Sequence, residues 1–286
     1  MDKFANLVEK LCEASRKRYI NPYSYLEWPE VLDQEQWFTS PQLISLYGTE
    51  LYDNLTEAEK KRLSFYEAVN FFSLNIHGEK ALISGLSQRL YEQDKSWISP
   101  YLHHFLDEEN KHMLHFGGFC VRYAGKIYRD RKVVFSREYE LGEEDFLFFA
   151  KVLIFEEIVD VYNLRMSQDE CLAPIARQIN LLHHQEEVRH LIFGRQLVKE
   201  LFDRYSSSWS AETLQKVRNY LQNYFTVTWG EYYNPDVYRD AGLENPYEIR
   251  EKAFRHPGSR EHRQEITAKC IRYFLKNGIL EEEPSL

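Results

Sequence analysis

Apolar residues recur at three- and four-residue intervals over long stretches of the chain, which is the pattern of amphipathic helices. The first such stretch covers residues 2–19 and predicts a helix that packs on the main body of the protein. Residues 20–54 break the pattern with three prolines and several aromatic residues. We therefore predict an irregular segment there, with a short helix from Ser40-Pro41.

Four long helical patterns follow this segment. Thr56 and Glu59 form a capping-box signature at the start of the first, whose apolar stripe continues to Leu86. Polar residues 125–142 separate the second pattern from the third, and a connection of that length can join two helical hairpins. The second helix should begin at Ser99-Pro100 and end near Gly125, the third should begin between Gly142 and Asp145, and the fourth should run from Pro174 to about Phe202.

The last part of the chain has three further helical patterns, at residues 210–229, 246–254 and 259–276, and Gly278 is typical of a helix stop. The chain is therefore predicted to be all-α, a four-helix bundle with additional N- and C-terminal helices. We expect a single domain over residues 1–286. Its parts are an N-terminal helix and wrap (1–54), the bundle (55–206) and a C-terminal helical extension (207–286).

Composition supports long helices and narrows the class of protein. Only 12 of 286 residues are Gly and 9 are Pro, while 43% are hydrophobic. The net charge of −9 at pH 7 argues against nucleic acid as a partner. Neither a secretory signal nor an apolar run of roughly 18 residues, enough for a membrane span, is found. The four cysteines form no Cys-x-x-Cys pair, so we expect a cytoplasmic protein with reduced thiols.

Two short motifs carry the candidate chemistry. Glu109 and His112 form one Glu-x-x-His pair, and Glu187 and His190 form a second. Residues at i and i+3 share one face of a helix, so each pair offers a carboxylate and an imidazole to the same point. His183 lies one turn before Glu187 and adds a third side chain to that face. Two such faces predict two metal ions.

The other two bundle helices each offer a carboxylate. Glu79 interrupts the apolar stripe of the first helix, where a buried carboxylate is costly unless it is paired or bound to a metal. In the third helix, Glu156 and Glu157 both have apolar neighbours. Helical phase alone does not choose between them.

The order of these groups over four successive helices is a carboxylate, a Glu-x-x-His, a carboxylate and a Glu-x-x-His. This is the pattern of ferritin-like di-iron or di-manganese bundles, and these oxygen and nitrogen ligands suit iron or manganese. A single Glu-x-x-His pair is more often a solvated helix face, so the prediction rests on all four helices together. Glu108, Glu186 and Asp160 are candidate acceptors for ligand imidazole N–H groups, with solvent-exposed ion pairs as the alternative for the two glutamates.

With His183 included, the fourth helix resembles that of the p-aminobenzoate N-oxygenase family of non-haem di-iron enzymes, which carries a His-x3-Glu-x2-His motif. The similarity covers about residues 60–205. It implies that His183 is a third histidine ligand, and it puts the third carboxylate 27 residues earlier, at Glu156 rather than Glu157. The implied ligand set is Glu79, Glu109, His112, Glu156, His183, Glu187 and His190.

The resemblance also implies a reaction. Two iron ions, or manganese in their place, would activate O2 as co-substrate and transfer oxygen to the nitrogen of a small-molecule amine, through hydroxylamine toward a nitroso or nitro product. No flavin, nicotinamide or iron–sulfur motif is found in the sequence. A separate reductase or a small reductant is therefore the expected electron donor. A homodimer is the assembly that we consider.

Two other functions fit the same residues. An enzyme of this fold with iron, or with manganese and iron, can hydroxylate, desaturate or cleave a C–H or C–C bond. The other alternative is a non-enzymatic ferritin-like iron-binding protein, against which the long flanking segments and His183 argue. Product analysis with an amine separates the two enzymes, and a cage-sized assembly would favour the iron-binding protein.

Overall fold

The computed structural model describes residues 2–93, 95–130 and 138–286, and it is predominantly helical. The predicted all-α class is confirmed, since the β-pairing among these residues is limited to an isolated bridge between Trp37 and Leu172. The α-helices are α1 (Asp2–Lys17), α2 (Glu50–Asp53), α3 (Glu57–Gln88), α4 (Ser99–Phe119), α5 (Glu143–Gln168), α6 (Pro174–Tyr205), α7 (Ala211–Tyr232), α8 (Pro235–Asp240), α9 (Pro246–Arg255) and α10 (Pro257–Lys276). Short 3-10 turns lie at Pro41–Leu43, Ser96–Ile98 and Ser206–Ser208.

Helices α3, α4, α5 and α6 form the predicted four-helix bundle. α3 packs along α4 and α5 packs along α6, while contacts of α3 with α5 and of α4 with α6 join the two pairs. The outer side of α5 is covered as well, by α7 and α10. As a result α5 is buried around most of its circumference rather than along one stripe.

The ends of the bundle helices follow the predicted signals with one difference. Thr56 and Glu59 form the predicted capping box of α3. α4 begins at Ser99 itself, because the Ser99 hydroxyl accepts a hydrogen bond from the Tyr91 amide at 2.8 Å instead of capping α4. α4 continues into a π-helical turn, Cys120–Ala124, and ends at Gly125, whose φ of 65° is readily adopted by glycine. Part of the predicted connection 125–142 lies outside the described residues.

The N-terminal segments pack against the end of the bundle that the α5–α6 turn closes and against α4 and α6. α1 contacts both helices, and the Phe4 ring lies 5.8 Å from that of Phe193. The irregular segment is joined to the α5–α6 turn, where Ala173 N donates to Trp37 O at 2.8 Å and the Ser40 hydroxyl donates to Asp169 at 2.6 Å. These bonds fix the position at which α6 begins.

Two glycines of α3 allow α5 to approach closely. A Cβ atom on Gly78 would lie 2.5 Å from the Phe155 ring, and one on Gly85 would lie 2.1 Å from the Phe148 ring. The two glycines are seven residues apart, as are the two phenylalanines, so each ring packs over a glycine of the antiparallel helix. Gly78 and Phe155 directly precede Glu79 and Glu156, so the close approach of the two helices lies next to these two carboxylates.

The C-terminal extension covers the outer side of the bundle. α7 packs on α5 and α3, and α10 packs on α5, as the helical patterns predicted. α8 was not predicted; it is a six-residue helix whose cap is the Asn234 side chain, which accepts from Asp236 N at 3.0 Å. Among the described residues no helix is long and apolar enough to cross a membrane.

Candidate metal centre

The bundle brings all of the predicted ligand residues to one buried centre. None of their side chains is in a residue more than 2% exposed. Together they contribute four carboxylates and three imidazoles to a space enclosed by four helices. The contributions are Glu79 from α3, Glu109 and His112 from α4, Glu156 from α5, and His183, Glu187 and His190 from α6.

Glu109 and Glu187 lie in the middle of the centre. His112 Nδ1 is 3.1 Å from Glu109 Oε2 and 3.7 Å from Glu187 Oε1. His190 Nδ1 is 2.9 Å from Glu109 Oε1 and 2.8 Å from Glu187 Oε1. Each of these carboxylates therefore faces both imidazoles, and each could serve metal ions held by either histidine.

His183 faces the same centre from one turn earlier on α6. Its Nε2 is 3.4 Å from Glu79 Oε1 and 3.5 Å from Glu187 Oε1, so it lies against carboxylates of two different helices. Its Nδ1 contacts the side-chain amide of the fully buried Asn163. The contacting atom is the amide nitrogen Nδ2, which donates to Nδ1, while Asn163 Oδ1 meets no donor among the described residues. Exchanging the amide nitrogen and oxygen, which are alike in shape, would let Nδ1 donate instead and leave Nε2 free to bind a metal ion.

Asn163 was not among the predicted site residues. It lies on α5 seven residues after Glu156, and residues seven apart share a helix face. A polar residue at that spacing was the available signal. Because α5 is largely apolar around Asn163, the sequence did not distinguish this residue from an ordinary buried, hydrogen-bonded Asn.

Glu156 and Glu157 point in different directions. Glu156 lies with His183 and Glu187, with ligand atoms of the three residues all within 4.8 Å of one another. Glu157 is also buried, but its Oε1 accepts a hydrogen bond from Arg195 Nε at 2.5 Å. The two adjacent carboxylates are thus directed to the centre and to a guanidinium, respectively.

Packing so many carboxylates together in a buried space raises their pKa values. Burial and the charges of Glu79 and Glu187 raise the pKa of Glu109 well above its usual range. Burial and the charge of Glu187 do the same for Glu156. Burial raises the pKa of Glu187 to about 7, against the opposing effect of His190. Without a cation, these groups resist full ionisation.

A further glutamate directly precedes each Glu-x-x-His motif, and its carboxylate contacts the histidine of the other motif. Glu108 Oε2 accepts a hydrogen bond from His190 Nε2 at 2.7 Å, and Glu186 Oε2 accepts one from His112 Nε2 at 3.0 Å. Each imidazole therefore donates through Nε2 and keeps Nδ1 directed to the centre, which makes the imidazole a better ligand. The prediction for Glu108 and Glu186 as imidazole acceptors is thereby supported over the solvent-exposed alternative, since both are buried.

A basic residue in each motif completes the crossed arrangement. Arg189 Nη2 donates to Glu108 Oε1 at 2.6 Å, and Lys111 Nζ donates to Glu186 Oε1 at 3.0 Å. Burial alone would raise the pKa of Glu108, but the hydrogen bond from His190 and the charges of His190 and Arg189 lower it to about 2. Glu108 thus stays ionised and orients the His190 ring.

Asp160 has a different role from the predicted one. Its carboxylate accepts a hydrogen bond from His184 Nδ1 at 2.6 Å, and His184 lies on the outer side of α6 rather than in the centre. Adjacent helical residues point about 100° apart, which directs His184 away from the centre that His183 faces. Asp160 therefore does not contact any of the three predicted histidine ligands in this structure.

The donor set fits metal ions. Both oxygens of Glu79 and one oxygen each of Glu109, Glu156 and Glu187 are buried and meet no hydrogen-bond donor among the described residues. Such atoms are costly to leave unpaired, and here they meet at one point. Carboxylate oxygens with imidazole nitrogens and no thiolate suit iron or manganese. Within the described part of the chain, three overlapping groups of three side chains have ligand atoms close enough to hold a metal ion.

A cavity of about 850 Å³ reaches this centre along α3, α5 and α7. Glu156 forms part of its inner wall, next to Phe155 and Gly78. A smaller void of about 10 Å³ is lined by Glu156, His190 and Phe105. The Phe105 ring stacks on the His190 ring with centroids 3.9 Å apart. A void of that size has room for at most about one water molecule.

A helical bundle with two Glu-x-x-His motifs and two further carboxylates in its interior defines the class of ferritin-like di-metal carboxylate proteins. The family model for p-aminobenzoate N-oxygenase AurF matches residues 2–278. The chain therefore belongs to this family, and it is an O2-dependent di-metal oxygenase with a small-molecule substrate. The family match extends well beyond residues 60–205, which carry the resemblance in the sequence.

Comparison with curated protein sequences gives no match. Among solved structures, the chain is similar to a variant of R2-like ligand-binding oxidase with an anaerobically reconstituted Mn/Fe cofactor, with 16% identity, a TM-score of 0.48 and coverage of 92% of this chain and 93% of that one. The same oxidase without metal cofactor gives 15% identity, a TM-score of 0.44 and coverage of 92% and 96%.

Proposed function

We propose that this protein is a di-iron N-oxygenase that transfers oxygen from O2 to the nitrogen of a small-molecule amine. The observation that carries the proposal is the set of four carboxylates and three histidines in the interior of a chain that belongs to the N-oxygenase family. Glu79, Glu109 and His112 would hold one metal ion, and Glu156, His183, Glu187 and His190 would complete the other, with Glu109 and Glu187 between them. Two bound iron ions would supply the electrons and coordination positions for O2 reduction.

The residues around the centre orient the ligands and exclude water. Glu108 and Glu186 hold the His190 and His112 rings through Nε2–H, and Asn163 faces His183 Nδ1. The buried Phe105 ring stacks on His190 and forms an apolar wall of the small void. An apolar wall of this kind excludes water and so limits side reactions with solvent.

The 850 Å³ cavity is the proposed substrate site, because its volume is typical of small-molecule pockets and it ends at Glu156. The Phe155 and Phe148 rings give it apolar walls for the body of an amine. Electrons would come from a separate reductase or a small reductant. The homodimer and the cytoplasmic location stay predictions from the sequence.

Metal content is the first test. Anaerobic reconstitution with Fe(II) and elemental analysis should give about two iron atoms per chain, because seven side chains converge on the centre. Circular dichroism should show the same helical content before and after loading. One iron or none at saturation in a folded protein would contradict the assignment.

Product analysis tests the reaction itself. The iron-loaded protein, reduced and mixed with ¹⁸O2 and p-aminobenzoate or another aromatic amine, should give hydroxylamine, nitroso or nitro product with the label on nitrogen. Label on carbon alone, or a desaturated or cleaved product, would favour a C–H or C–C oxidising enzyme of the same fold. The metal content is unaffected by which of these outcomes is found, so the two tests are independent.

His183 is the ligand that exceeds the usual bundle set. We expect His183→Ala to retain the fold and most of the iron, with oxygen transfer slowed by about 10- to 100-fold, because one nitrogen donor and its bond to Asn163 are lost. His184→Ala is the matched control, since His184 pairs with Asp160 outside the centre. An unchanged absorption spectrum and unchanged turnover in His183→Ala would make His183 a structural residue.

A further inference from the structure

A second cavity, of about 640 Å³, lies between the N-terminal segment, α3, α5, α7 and α10. None of the proposed metal ligands lines it. It shares Asn70 and Tyr233 as wall residues with the cavity that reaches Glu156, so the two are neighbours rather than one space. Its volume is typical of a site for a small organic molecule.

A buried carboxylate lines this second cavity. Glu67 is 7% exposed, and its Oε1 accepts hydrogen bonds from the amide nitrogen of Ser45, at 3.2 Å, and from the Ser45 hydroxyl. No hydrogen bond within the described part of the chain reaches its Oε2. No Lys, Arg or His nitrogen among those residues forms an ion pair with it. A buried carboxylate without a counter-charge is costly in a folded protein.

A second polar group in the wall has no partner. Tyr232 is 6% exposed, and its hydroxyl is buried without a hydrogen bond to any described residue. Buried hydroxyl groups are nearly always paired, so an unpaired one on a residue of the cavity wall can hydrogen-bond to a ligand that packs against this residue. The carboxylate and the hydroxyl therefore offer one charged acceptor and one neutral hydrogen-bonding group to an occupant.

The remaining wall is aromatic. The Phe71 and Tyr162 rings stack with centroids 5.4 Å apart, and the Tyr232 ring lies 5.1 Å from Tyr162. Rings arranged in this way bind the apolar body of a ligand, and their faces attract a positive charge. Among the other charged wall residues, Arg165 is paired with Glu265 at 2.6 Å.

The sign of the charge selects the ligand class. The wall contains Glu67, Glu261 and Glu265 against the single cation Arg165. His262 does not offset them at neutral pH, because burial and the charge of Arg165 lower its pKa to about 4. An anionic ligand would meet like charge and find no free cation in this wall, whereas a cation would neutralise Glu67.

We propose that this cavity is a second small-molecule site that binds an organic ammonium ion with an aromatic or other apolar body, with Glu67 as counter-ion and the Tyr232 hydroxyl as a further polar contact. The site is separate from the metal centre. It does not rest on the N-oxygenase reaction, and an ammonium compound can bind here whatever the enzyme oxidises. A ligand of this class would also stabilise the folded chain by mass action.

Benzylammonium is the probe, and benzyl alcohol is its neutral counterpart. Isothermal titration of the iron-loaded, full-length protein at pH 8 should show a saturable benzylammonium site that depends on Glu67. Binding of the probe in the proposed substrate cavity is distinguished from it, because Glu67 does not line that cavity. Benzyl alcohol should bind at least about tenfold more weakly, because its hydroxyl can donate to the Glu67 carboxylate but carries no charge to neutralise it. Benzoate should not bind at this site.

Glu67→Gln locates the site, because the amide keeps an acceptor for Ser45 and loses the charge. We expect benzylammonium affinity to fall at least about tenfold in Glu67→Gln and less than about twofold in Glu261→Gln, which removes an exposed carboxylate from the same rim. Tyr232→Phe should weaken benzylammonium binding about threefold. This variant tests the site if Glu67→Gln does not fold. Equal affinity in Glu67→Gln and wild type, no saturable binding, or equally tight benzyl alcohol would each overturn the proposal.

Discussion

Glu156→Ala is expected to lose one of the two iron ions and to reduce oxygen transfer by more than about 100-fold, a larger effect than changes to residues behind a ligand produce. Glu156 is the only proposed ligand from α5, and one of its oxygens is buried without a hydrogen-bond donor. Its removal takes one carboxylate from the proposed second metal ion. The adjacent Glu157 cannot replace it, because that side chain is directed to Arg195. Elemental analysis after anaerobic loading and single-turnover kinetics with O2 measure the two effects.

Glu157→Ala is the matched control, one residue away and equally buried. It should retain both irons and the O2 reaction, because Glu157 pairs with Arg195 instead of facing the centre. A loss of about 1–2 kcal/mol in the free energy of unfolding is expected, moderated because Arg195 is 27% exposed and can be solvated. Loss of iron from Glu157→Ala with retention in Glu156→Ala would show that the α5 ligand is the neighbouring residue.

The difficulty in choosing between these two residues has a structural origin. Periodicity identifies the buried face of a helix when its other face is in water, but α5 packs on α6 on one side and on α7 and α10 on the other. Both Glu156 and Glu157 are consequently buried. The direction in which each side chain points is decided by its partner. The partner of Glu157, Arg195, lies 38 residues away in the chain. The family resemblance supplied a choice that the local sequence did not contain.

The parts of the fold that were predicted depend on local signals. The capping box at Thr56 and the prolines at Pro100 and Pro174 act within one turn of a helix, so they are readable from a few residues. The Glu-x-x-His pairs are equally local. In contrast, the crossed bonds of Glu108 with His190 and Glu186 with His112 join residues more than 70 positions apart.

The second cavity was not predicted for the same reason. Its walls come from the N-terminal segment and from helices near both ends of the chain, and a single carboxylate such as Glu67 has no spacing that marks it. α8 was missed because a six-residue helix spans fewer than two turns and shows no clear period. The Asn234 cap and Pro235 were its local signals, and both are equally common in turns.

The crossed glutamates give the second large prediction. Glu108→Ala removes the acceptor of His190 Nε2–H and leaves Arg189, which is 5% exposed, without its nearest carboxylate. An unpaired buried charge costs about 3–5 kcal/mol, and loss of the acceptor should weaken metal affinity by about 10- to 100-fold. Chemical denaturation of the metal-free protein measures the first effect, and iron release to a chelator measures the second.

Glu186→Ala provides the comparison, because the two glutamates are equivalent toward the imidazoles but not toward the cations. Lys111 keeps Asp107 at 3.2 Å when Glu186 is removed, whereas after loss of Glu108 the nearest carboxylate of Arg189 is Glu186 at 3.8 Å. We therefore expect similar losses of metal affinity in the two variants but a smaller loss of stability, about 1–2 kcal/mol, in Glu186→Ala. Unchanged iron release in both variants would show that these glutamates hold the cations alone and do not orient the ligand histidines.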